Sequence, residues 1–202
     1  MNSILLLALL CVLPFLAVGQ GLPRFDVNVK RIQGKTAAQK EKMKRALNIF
    51  EQVMNDESFR EELLGSRFHS DKDDDPFKNW STQQIVTAIY KAAEEYENSK
   101  PNYTADINWI VKGRGFFTRT ISDRDCSTIG FFDYEENAII TYTCFFDDEE
   151  KELSLIVGHV AHEWTHALGF VHKYDDHPRR DETVPYTFGN LVSKYADKYI
   201  QK

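Results

Sequence analysis

Residues 162–172 read HEWTHALGFVH and hold three of the chain's six histidines. The spacing restricts what the chain can fold into. On a helix, His162 and His166 lie one turn apart on the same face, so both imidazoles can reach one point. Glu163 sits one step round the helix, beside that point. Gly169 follows where a left-handed residue ends a helix. The chain can then turn back, and His172 can return to the same point from outside. A fold that uses this stretch needs a helix with one side buried, one side on a cleft, and a sharp reversal after it. The flanking residues meet the first demand. At about 100° per residue, Leu153, Ile156, Val157, Val160, Trp164, Ala167 and Leu168 gather on one face, and Leu155, His159, His162 and His166 on another. Asp147-Asp148-Glu149-Glu150 places acids at the expected helix start, with Asp147 as cap and Glu150 three residues on. The spacing predicts a helix over about 148–168.

Three neutral imidazoles leave the fourth position of a tetrahedral zinc ion open to water, the arrangement of a catalytic site rather than a structural one. Glu163 then stands where a general base for that water is needed. His162, Glu163, His166, Gly169 and His172 fill the pattern HExxHxxGxxH, and in this the chain resembles the metzincin clan of zinc peptidases. The resemblance implies a single α+β catalytic domain, with a mixed β-sheet and helices above the active-site helix. It implies one catalytic Zn2+ on His162, His166 and His172, Glu163 as general base, and a protein or peptide substrate. The chain departs from the clan in one respect. Metzincins carry a methionine turn beneath the metal, downstream of the third histidine, whereas Met1, Met43 and Met54 all lie upstream. Val184-Pro185-Tyr186 is expected to form a tight turn in its place. Tyr186 is a candidate helper of the reaction, because a tyrosine stands near the ion in some metzincins.

Alternatives stay open at several positions. An exported zinc-binding domain without turnover, or a zinc hydrolase of non-peptide amides, would use the same ligands. His159 reads as a histidine of the cleft wall. Asp175, Asp176, Asp181 and Glu182 compete with His172 for the third ligand position, and the Gly169 spacing favours His172. Arg179 and Arg180 are placed to bind substrate carboxylates or acidic neighbours such as Asp181.

The rest of the chain agrees with one exported domain. Its 202 residues are 42% hydrophobic and 28% charged, a globular balance that excludes disordered and fibrous classes. A net charge of −6 without a basic stripe argues against a nucleic-acid partner. Residues 4–18, ILLLALLCVLPFLAV, are apolar but short for a membrane span. With Ala17-Val18-Gly19 behind them they read as a signal peptide over 1–19, an uncleaved anchor being the alternative. Residues 20–202 are then one secreted or periplasmic domain, with no stable membrane span after cleavage. Loss of Cys11 leaves Cys126 and Cys144, an even pair that suggests a disulfide. The segment between them has a strand–turn–strand pattern centred on residue 135, and a hairpin folded there would oppose the two cysteines.

Further strands are expected over 25–32, 106–111 and 115–121. Further helices are expected from 36 to about 55, over 58–64, over 81–97 and over 191–200, with Thr36 and Ser81 as caps. The acidic stretch 69–76 fails as an EF-hand loop, because Pro76 stands where glycine is needed and Thr82 where glutamate is needed. Asn79 and Asn102 lie in glycosylation acceptor triplets.

Overall fold

Three helices open on the same device, an oxygen side chain that accepts from the backbone N–H three residues on. Thr36 accepts from Gln39 at 3.1 Å, Asp56 from Phe59 at 3.0 Å, and Ser81 from Gln84 at 3.3 Å. These caps start α1 (Ala37–Met54), α2 (Glu57–Gly65) and α3 (Thr82–Lys91). Gln39 and Gln84 reach back to their caps, completing two capping boxes. The computed structural model describes residues 22–69, 77–94, 100–113, 129–147, 152–172 and 179–200.

Four strands are present among these residues: β1 (Asp26–Gln33), β2 (Thr104–Lys112), β3 (Gly130–Asp133) and β4 (Ala138–Tyr142). They form one mixed sheet in the order β1-β2-β4-β3. β1 and β4 both run parallel to β2, and β3 pairs antiparallel with β4 at the edge. β4 is buried along most of its length, which fits its apolar run AIITY. The polar edge strand β1 carries Lys30 and Arg31 and a bulge between Val29 and Arg31, features that blunt an exposed edge. The remaining helices are the short α4 (Thr143–Phe146), α5 (Leu153–Ala167) and α6 (Val184–Ile200), with a 3-10 turn at Arg180–Glu182. The chain is thus mixed α+β among the described residues, with six helices and four strands. No helix among them is long and apolar enough to cross a membrane.

Several expected boundaries are corrected. α5 begins at Leu153 rather than near 148, and Asp147 does not cap it. Asp147 is instead the C-cap of α4, and its carboxylate accepts from the Gln39 amide at 2.7 and 3.0 Å. α3 stops at Lys91 rather than 97: Ala92 takes a left-handed φ of 47°, and the Lys91 carbonyl accepts from the backbone of Asn102 and Tyr103. α6 starts at Val184, so Val184-Pro185-Tyr186 is its first turn and not a tight turn. Proline suits that position, where no intrahelical bond needs its missing N–H.

The hairpin exists, but its register pairs Gly130 with Thr141 and Asp133 with Ala138, one residue off symmetry about 135. Cys144 lies on α4 rather than on a strand, and it is disulfide-bonded. Cys126 lies outside the described residues. So do the expected strand at 115–121, the signal stretch 1–19 and the acidic stretch from residue 70 to 76.

An aromatic cluster joins the helices behind the site. Phe25, Phe50, Trp164 and Phe188 are all buried and meet edge-to-face, with centroids 5.6 to 6.4 Å apart for Phe25–Trp164, Phe50–Trp164 and Phe50–Phe188. The cluster clamps α5 between α1 and α6 and fixes which of its faces looks outward.

Candidate metal centre

α5 is buried over nearly its whole circumference after its first turn, so its polar residues face a structured interior rather than solvent. Gly158 faces Gly189 of α6. A Cβ on Gly158 would lie 2.7 Å from the Gly189 carbonyl oxygen, and one on Gly189 would lie 2.9 Å from that of Gly158. Only the absence of both side chains lets the two helices touch. Their contact brings the start of α6 against the histidines of α5.

At the far end of α5, Gly169 adopts a φ of 86°, the left-handed conformation expected of it. The chain reverses, and Phe170 turns its carbonyl onto His166 Nδ1 at 2.6 Å. That bond gives Nδ1 the proton and leaves Nε2 of His166 with its lone pair. Two residues later His172 arrives beside the other two.

The three rings form a near-equilateral triangle. Centroids are 5.3 Å apart for His162–His166, 5.2 Å for His162–His172 and 5.1 Å for His166–His172. One ring nitrogen from each lies within 4.8 Å of the others, and the three could hold a metal ion. The residues pass a simple fit test. Nε2 of His162 and Nε2 of His172 are 3.2 Å apart. Two nitrogens about 2.0–2.1 Å from one tetrahedral ion would be separated by about 3.3 Å. Burial, and then the neighbouring His166 and His172, hold His162 well below the ordinary imidazole value, so it is neutral and able to ligate.

Glu163 lies beside the triangle. Its carboxylate oxygens are 3.9 Å from Nε2 of His162 and 3.9 Å from Nε2 of His166. Burial pushes the carboxyl up to about 8, opposed by a backbone hydrogen bond from Phe132 on β3. His159, one turn earlier, is buried and sits with Nδ1 3.5 Å from Glu163 Oε1. Its Nε2 is 3.0 Å from the Thr141 hydroxyl, which also accepts from Trp109 Nε1 at 2.8 Å. Burial above all pushes His159 down to about 3, against a backbone bond to Ile140, so the ring is neutral. His159 both lines the cleft and touches Glu163, and it belongs to a buried chain of polar groups running into β4 and β2.

Tyr186 packs against the histidine cluster. Its ring lies 4.5 Å from His162 and 4.8 Å from His172. It reaches that place from the first turn of α6. Met43 and Met54 are buried on α1 in the aromatic core. The two arginines part company. Arg179 is exposed and binds Glu182 at 2.9 Å through Nε and 2.6 Å through Nη2. Arg180 turns inward, lays its guanidinium 4.5 Å from the Tyr186 ring centre and donates through Nη2 to the Tyr186 hydroxyl.

A cavity of about 430 Å³ is lined by His159, His162, Glu163, Arg180 and Tyr186 with Leu155 and the facing residues of α6. Asp181 and Glu182 are exposed and stand outside the histidine cluster, so neither replaces His172. Asp175 and Asp176 lie outside the described residues.

Sequence reasoning missed Thr141, Trp109 and the Phe132 amide, which carry no local signal. Gly158 and Gly189 did carry one: a glycine inside a helical pattern points to close packing. No known protein family, no curated protein and no solved structure matches this chain.

Proposed function

We propose that the chain is an exported zinc-dependent endopeptidase of metzincin type, hydrolysing peptide bonds with Glu163 as general base. One observation supports this reading above the rest: three imidazoles, His172 buried and the other two partly buried, close on one point with the Glu163 carboxylate beside them. Three nitrogen ligands favour zinc over magnesium or calcium, which take oxygen. A zinc ion held by His162, His166 and His172 would polarise the scissile carbonyl and acidify a water.

The protein side chains supply the rest. Glu163 accepts the proton of the attacking water and passes it to the leaving nitrogen. The Phe132 amide and His159 fix its carboxylate on the triangle side of α5. Because Arg180 donates to the Tyr186 oxygen, the phenolic proton is left to donate into the cleft. There it stabilises the oxygen of the attacked carbonyl as charge builds on it.

Glu163→Ala tests the reading. In the zinc-loaded chain, cleavage of a general protein substrate is expected to fall by about 10²-fold or more while zinc stays bound stoichiometrically. Wild-type rates from that variant sink the mechanism. A wild-type chain that holds zinc yet cleaves nothing in a broad peptide library favours zinc binding without turnover.

A further inference from the structure

Arg180 is a charged side chain of the cleft whose chemistry the hydrolytic reading does not exhaust. Among the described residues lining the cavity, Glu163 and Arg180 are the only carboxylate and the only guanidinium. Glu163 is occupied by the Phe132 amide and the reaction. Among the described residues Arg180 has no carboxylate within ion-pair distance, although its chain neighbour Arg179 has Glu182 at 2.6 Å. Its Nε is buried and has no hydrogen-bond acceptor among the described residues. The guanidinium is also held in place. It stacks on Tyr186, which in turn packs on His162 and His172, so the cation stands one aromatic ring beyond the metal triangle.

We propose that Arg180 is a specificity-determining residue that binds a substrate carboxylate close to the scissile bond. The proposal rests on the hydrolytic reading and names its substrate class: peptides with an acidic group within about two residues of the attacked carbonyl, since an extended residue spans about 3.3–3.6 Å. The planar fork of an arginine in the cavity wall, with one Nη2 N–H on the Tyr186 hydroxyl, still offers its remaining Nη donors to such a group. An acidic side chain and a free C-terminal carboxylate share this chemistry.

Four peptides of one parent sequence separate the two sources. One pair differs by Glu against Gln beside the cleaved bond; the other differs by a free against an amidated C-terminus. Cleavage is measured on the zinc-loaded wild-type chain and on Arg180→Ala and Arg180→Lys. Binding is measured by calorimetry on zinc-loaded Glu163→Ala with and without Arg180→Ala. The acidic member of one pair is expected to bind and react about 10- to 100-fold better, and Arg180→Ala to bring that ratio close to unity. Discrimination by the Glu/Gln pair assigns an internal acidic residue, and discrimination by the terminal pair assigns the chain end. A loss common to all four peptides, with the acidic preference unchanged, reports the broken support of Tyr186 and counts against the proposal. If Arg180→Ala leaves the acidic preference intact, or the wild-type chain shows none while still cleaving, the proposal falls and the hydrolase reading stands. If no peptide is cleaved, the hydrolase reading falls, and the calorimetric ratio still decides for or against Arg180. No measurable binding of any of the four overturns it.

Discussion

On the α5 side of the cleft, His162, Glu163 and His166 are set by the pitch of one helix. On the α6 side, Tyr186 and Arg180 reach the same place only because Gly158 and Gly189 let two helices touch. The first wall keeps its arrangement as long as the helix forms. The second is an outcome of tertiary clearance, and a few ångströms of separation would take Tyr186 off the histidines. Local geometry makes the metal triangle robust, and packing makes the opposite wall adjustable.

The largest expected effect comes from breaking the α5 wall itself. His166→Ala removes a corner of the triangle and is expected to lower zinc affinity by more than about 10²-fold, beyond what losing an outer hydrogen-bond partner costs. Metal analysis after gel filtration checks this, and full retention of zinc would remove His166 as a ligand. Next comes a wedge between the walls. Gly158→Val puts a side chain where the Gly189 oxygen and Ser193 now sit at 2.7 and 2.8 Å. It is expected to cost about 1–3 kcal/mol, read as a lower denaturation midpoint, with zinc still bound because α5 remains helical. An unchanged midpoint would show that the glycine contact is not tight.

The support behind Glu163 sharpens the comparison at a finer scale. His159→Leu keeps the volume and removes both polar contacts. Activity is expected to fall up to about 10²-fold through misplacement of the carboxylate, and His159→Gln to restore part of it. Equal activity in all three chains would leave His159 as packing alone.

The smallest effect lies on the far side of α5, where Trp164 Nε1 donates to Glu94 Oε1 at 3.1 Å and the Asp106 amide donates to the same oxygen at 3.0 Å. Burial first of all raises Glu94 above 4.5 in the folded chain. A raised acid binds more protons folded than unfolded. Its contribution to stability is therefore full below about 4.5 and is lost as pH rises through the folded value. Glu94→Gln is expected to flatten that decline between pH 4.5 and 7 in denaturant titrations. An identical slope in both chains would show that Glu94 titrates normally.

These differences also explain what could be read from the residues alone. Thr36 with Gln39, Ser81 with Gln84, and Gly169 announce themselves, because capping and left-handed turns are settled within a few residues. The histidine triad was legible for the same reason, a helix period plus a stop. The start of α6 was not, since Val184-Pro185-Tyr186 suits a turn or a first helical turn equally well and the choice falls to packing against α5. Asp147 looked like a cap until Gln39, remote in sequence, claimed its carboxylate. The Trp109–Thr141–His159–Glu163 line joins two strands to a helix, and no spacing rule predicts it.

The reversal at Gly169 has a consequence for how ion and chain depend on each other. One bend both fixes the His166 ring through the Phe170 carbonyl and delivers His172. A metal bound there is a clasp between the end of a helix and the strand of backbone that leaves it. Straining the bend will therefore read as lost affinity, and chelation will read as a loosened backbone, because the two are a single thermodynamic unit.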